Sequence, residues 1–114
     1  MDNRRKHSRF EVTLAAEVDV RGEPLSGETR DVSEGGVAVI LSDALEENSS
    51  IDLSLILMQD GIEDPNEEPF KTKATVVWAA PTEDGQSMMG LRFVAVAAVE
   101  ARRLKRFLAV LARN

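Results

Sequence analysis

The chain has 114 residues, no cysteine and a formal net charge of −6. That length suits one domain whose core needs no staples, and the lack of cysteine excludes disulfides and thiolate metal sites. There is no long apolar run and the N-terminus is charged, which argues against a spanning helix or a signal peptide; a soluble cytoplasmic protein is expected.

The charge is segregated. Residues 1–9 carry a net +3 and residues 100–114 a net +4, which leaves −13 on residues 10–99. An acidic body repels DNA and anionic membranes at long range. With only 4% aromatic residues, it also argues against a single-stranded nucleic-acid binder. The expected partners therefore exclude nucleic acid and membrane insertion. A small anion can still bind where a few arginines converge.

The N-terminal stretch Arg4-Arg5-Lys6-His7-Ser8-Arg9 reads as a basic arm, residues 1–9, in front of a single domain of residues 10–114. Residues 10–20 alternate: Phe10, Val12, Leu14, Ala16, Val18 and Val20 fall on one face, and Glu11, Thr13, Glu17 and Asp19 on the other. That pattern predicts one long half-buried strand. Arg21-Gly22-Glu23-Pro24 reads as a turn, followed by a short strand of about Leu25 to Arg30 and a turn at Asp31–Gly36. Val37–Leu41 is a continuous, β-branched apolar run and fits a buried strand.

Residues 42–50 read as a loop or a short turn of helix. Ile51–Met58 begins as an alternating strand, and Ile56 and Met58 break the alternation, as at a strand end covered on both sides. Asp60–Pro69 is acidic and punctuated by Gly and Pro, the pattern of a solvated hairpin tip. Phe70–Ala79 is the next strand. Phe70, Thr72, Ala74, Val76 and Trp78 share one face, Lys71 and Lys73 the solvent face, so Trp78 is assigned to the core rather than to a base-stacking platform. Pro81–Gln86 is a hairpin turn and Met88–Val94 the last strand.

From about Ala97 the period changes. Leu104, Phe107, Leu108 and Leu111 follow the spacing of an amphipathic helix, with Arg102, Arg103, Lys105 and Arg106 elsewhere on the wheel. The apolar stripe is expected to cover an open side of the barrel or sheet; contact with a partner or a second protomer is the other use it allows. Six strands and one helix predict a mainly β fold, a six-stranded antiparallel β-barrel with a C-terminal amphipathic helix.

Two stretches carry chemistry. Arginine presents a planar fork of donors to phosphate and to the O6/N7 edge of guanine. In an extended arm Arg5 and Arg9 point the same way, so that together they can clamp one ligand from one side; a solvated basic tail has the same composition. In Asp31-Val32-Ser33-Glu34-Gly35-Gly36, Asp31 and Ser33 can close local turns, as in any hairpin. Alternatively, the Asp31 carboxylate can accept from both N1–H and N2–H of guanine, and Ser33 can donate to a phosphate or base acceptor.

Arg5-x-x-x-Arg9 followed by Asp31-x-Ser33-x-x-Gly36 resembles the paired signature of the PilZ domain family, bacterial receptors for cyclic di-GMP. Ala74-x-Val76-x-Trp78, the Gly90-Leu91-Arg92-Phe93 strand and the C-terminal helix extend the resemblance over roughly residues 4–112. It implies that cyclic di-GMP is the ligand, with no other cofactor. Arg5 and Arg9 would grip phosphates and guanine, Asp31 and Ser33 would read guanine and nearby backbone, and Gly36 would keep the turn open. An arginine just before the first motif arginine, here Arg4, goes in this family with two ligands per protomer; Arg30 would add a contact. The resemblance further implies an unidentified effector protein, in bacterial second-messenger signalling of motility or biofilm.

An enzyme is not expected: His7 is the sole histidine, and no nucleophile elbow or phosphate loop is present. The alternative function is a PilZ-fold adaptor that binds no ligand and acts only through protein contacts.

Overall fold

The computed structural model describes residues 8–58 and 68–113. They form seven strands and one helix: β1 (Phe10–Glu11), β2 (Ala15–Val20), β3 (Glu23–Val32), β4 (Gly36–Leu41), β5 (Ser50–Leu55), β6 (Phe70–Pro81), β7 (Ser87–Val94) and α1 (Ala98–Arg113). The sheet closes on itself. The order β3-β2-β5-β6-β7-β4 returns to β3 through the β3–β4 pairing, and every ladder is antiparallel. The two-residue β1 pairs with the end of β3 beyond β2, so the barrel has six staves. Closure leaves no long unpaired edge.

The expected first strand is interrupted. Its alternation holds, with Leu14, Ala16 and Val18 buried, yet the ladder breaks between Glu11 and Ala15. Glu11 pairs with Asp31 and Ala15 with Glu28, so one strand spends one more residue than the other. Thr29 repairs the break. Buried at 2% exposure, its hydroxyl donates to the Val12 carbonyl and accepts from the Leu14 N–H, 2.9 Å away. Leaving such a buried donor unmet would cost about 1–3 kcal/mol. β3 is longer than expected at both ends: the turn before it contracts to Arg21–Gly22, with Val20 opposite Glu23, and Asp31 and Val32, expected to open the next turn, instead pair with β1 and β4.

Inward rows fill the barrel with aliphatic side chains, for instance Val32, Val37, Leu91 and Val76, successive partners across β3, β4, β7 and β6. Phe70 and Phe93 meet at 5.4 Å between ring centroids. The helix stripe behaves as expected: Leu104, Phe107 and Leu108 enter the same core. Two charged groups fix its approach. Glu100 accepts from the Lys71 backbone N–H at 2.6 Å and from Arg103 at 2.8 Å, while Arg103 also donates to the Glu68 carbonyl. Ile56, Leu57 and Met58 are half-buried but lie beyond β5. The acidic tip read at Asp60–Pro69 lies largely outside the described residues.

One expectation is overturned. Trp78 is not in the core; it is 39% exposed. The β6–β7 register shifts between Val76 and Trp78, so Val77 is an extra residue. A bulge of this kind re-aims the following side chain. Val76 stays inside at 0% exposure, and Trp78 turns to the outer face.

Candidate functional site

Asp31 faces out by the same device. Thr29 and Asp31 are two residues apart and in an unbroken strand would share a face. The β3–β4 register shifts between them, with Thr29 opposite Val39 and Asp31 opposite Ala38. Arg30 is the extra residue, Thr29 remains inside, and Asp31 emerges on the surface. Successive pairings then place Asp31, Ala38, Gly90 and Trp78 in one outward row across β3, β4, β7 and β6. Three interstrand steps separate its ends, about 14 Å at the usual spacing. The two small residues make a low floor between a carboxylate and an indole.

Arg9 meets this row at the Asp31 end. Its Nη1 lies 2.6 Å from Asp31 Oδ1, with the side chains 34% and 23% exposed. The contact follows from β1: with Phe10 opposite Val32 and Glu11 opposite Asp31, Arg9 is delivered beside the turn of residues 33–35 that joins β3 to β4. Ser33 sits within that turn at 3% exposure. Its Oγ accepts from the Gly35 and Gly36 N–H groups at 3.3 and 3.2 Å, and its own N–H donates to the Gly36 carbonyl. The hydroxyl is therefore a brace inside the turn. Gly36 has a packing reason to be glycine, since a Cβ there would lie 2.3 Å from the Leu91 carbonyl oxygen.

A cleft of about 450 Å³ opens here, lined by Arg9, the Ser33–Gly36 turn, Trp78, Gly90 and Arg92 among others. That volume is in the range of small-molecule sites. Arg92 is exposed on β7, opposite Gly36, and makes no hydrogen bond or ion pair among the described residues. Sequence reading missed Arg92 and Trp78 as site residues. Arg92 carried a signal, a lone cation two residues from Gly90 on the same strand face; Trp78 was hidden by the bulge. The structure brings Arg9, Asp31, Ser33 and Gly36 together. Arg30 points elsewhere, toward the Met88 sulfur at 3.9 Å. Arg4 and Arg5 lie outside the described residues.

The indole rests directly on the floor: a Cβ at Gly90 would lie 2.1 Å from Trp78 Nε1. Gly90→Ala is therefore expected to lift the ring off the barrel. Trp78 is the sole tryptophan, so its emission reads this alone. A red shift with a thermal midpoint close to the parent is expected, and unchanged emission would show that the ring does not depend on Gly90.

The PilZ domain model matches residues 3–110. The chain is a member of the PilZ domain family. The PilZ domain of YcgR from Escherichia coli, solved with c-di-GMP, superposes with a TM-score of 0.75 at 18% identity, covering 97% of this chain and 93% of that one. The Bacillus subtilis inhibitor of motility, MotI, gives 0.77 at 22% identity over 93% of this chain, and the K. pneumonia MrkH–c-di-GMP complex 0.76 at 15% over 97%. The chain spans about half the length of these two proteins, 49% and 52%. At such identities the likeness is one of fold, the six-stranded barrel with its C-terminal helix. No curated protein matches the chain significantly.

Proposed function

We propose that this PilZ domain is a cyclic di-GMP receptor that acts through a partner protein. The observation that carries the reading is that Arg9, which lines the cleft, is paired with Asp31, the two residues coming from the two halves of the family signature. Asp31 accepts from guanine N1–H and N2–H. Arg9 engages Asp31 through Nη1, and its remaining N–H groups serve a phosphate. Arg5 grips the ligand from the same side as Arg9, and Ser33 and Gly36 hold the turn in shape. Trp78 offers a face on which a base can stack, and Arg92 a second cation; Arg30, turned toward Met88, is left out of the site. Arg4, preceding the motif, sets two ligands per protomer.

The arm, residues 1–9, closes around the ligand from Arg9, which already stands beside Asp31. Fixing backbone costs on the order of 1–2 kcal/mol per residue, which charge-assisted arginine–phosphate bonds offset. The changed surface is what an effector reads. No catalytic step is included, and no helix among the described residues is long and apolar enough to cross a membrane. We place the protein in the cytoplasm, and motility, which the similar MotI is named for, is the first outlet to examine.

Isothermal titration calorimetry with cyclic di-GMP, with GTP as control, tests the reading. Saturable binding near two ligands per chain is expected. One per chain keeps the receptor and removes the role given to Arg4. No binding by this and a second assay leaves the adaptor that works through protein contacts alone.

A further inference from the structure

The basic residues of α1 are not spread around the helix. At 3.6 residues per turn, Arg102, Lys105, Arg106 and Arg113 fall within an arc of about 100°, along about 17 Å of axis. All four are exposed, and none of their side chains makes a hydrogen bond or an ion pair among the described residues. The only acid of the helix, Glu100, is turned to the barrel, where it holds Lys71 and Arg103. A like-charged stripe without compensation costs stability on an isolated helix, in a chain whose net charge is −6.

Beside the stripe runs a groove of about 430 Å³ between α1 and the root of the arm. Phe10, Leu108, Ala109 and Ala112 give it an apolar lining; Lys105 is its cation and Glu34 its one carboxylate, so the cations that favour an acidic segment come mainly from the adjoining stripe. It thus offers cations next to a slot for an apolar side chain.

We infer that this face of α1 is a docking surface for an acidic segment of a partner protein, with carboxylates on the stripe and an apolar side chain in the groove. Charge complementarity selects the occupant. A membrane fits less well, because the apolar face of α1 is spent on the core through Leu104, Phe107 and Leu108. The exposed arc has no aromatic anchor, which interfacial helices use. A flat anionic surface would also meet the field of the −13 body. A short peptide feels mainly the stripe, since screening acts over about 8 Å at physiological salt. The inference stands apart from the ligand reading, and its test uses the protein without cyclic di-GMP.

The probe is a fluorescent twelve-residue peptide of Glu-Glu-Leu repeats, followed by anisotropy, with the Gln-Gln-Leu peptide and phosphatidylcholine–phosphatidylglycerol vesicles as comparison arms. Saturable binding of the acidic peptide alone is expected. The Arg102→Glu/Arg106→Glu variant should bind about tenfold more weakly or worse, as two exposed ion pairs become repulsions. Lys73→Glu, on the outer face of β6, should bind like the parent. Both variants are exposed changes, and their melting curves verify folding. No saturable binding, full binding by the double variant, or an equal loss with Lys73→Glu overturns the inference, and preference for vesicles overturns it in favour of a membrane.

Discussion

Arg9→Ala is expected to weaken cyclic di-GMP binding by about 100-fold or more, because truncating one partner of a charged contact that the bound ligand closes over costs about 2–5 kcal/mol. The unliganded protein should melt close to the parent. The reason is the setting of the residue. Arg9 is 34% exposed and meets Asp31 through one nitrogen, and exposed pairs contribute about 0–1 kcal/mol. The barrel closes from β2 onward without help from this contact. Calorimetry for binding and scanning calorimetry for the midpoint separate the two effects. A large fall in the midpoint would make Arg9 a structural residue, and unchanged binding would remove it from the ligand site.

Gly36→Val should do the opposite, lowering stability by about 3 kcal/mol or more through overpacking and broken hydrogen bonds. A Cβ at this position falls 2.3 Å from the Leu91 carbonyl oxygen, which is backbone and cannot swing aside. β4 and β7 would have to part where Gly36 faces Arg92, and the Ser33 turn, closed on Gly36, would open with them. Urea unfolding measures the loss; a midpoint equal to the parent's would show that the barrel absorbs the side chain. This bears on how the signature is read. Loss of binding in a Gly36 variant would report a loosened barrel before it reports a lost ligand contact, whereas Arg9 and Asp31 are outer-face side chains whose removal leaves the ladders intact.

Much of this fold is legible in the chain. Period-2 alternation in residues 10–20 and the apolar run at 37–41 mark staves of a barrel, because a strand buried on one side must alternate and one buried on both need not. The change of period after Ala97 marks the helix, whose stripe then finds the core. The motif residues are legible too, since their spacing is local and their chemistry belongs to the side chains.

The facing of two of them is not. Asp31 and Trp78 each follow an extra residue, Arg30 and Val77, that shifts the register and reverses the face expected from counting by twos. Alternation alone put Trp78 in the core with Ala74 and Val76. A bulge depends on whether the neighbouring strand has one residue fewer over the same span, which only pairing between distant segments settles. So local pattern is enough to mark the barrel, the helix and the identity of the chemical groups. The tertiary structure decided that a carboxylate, a floor of Ala38 and Gly90, and an indole share one outer row, because two bulges in strands far apart in sequence turn both ends of that row outward.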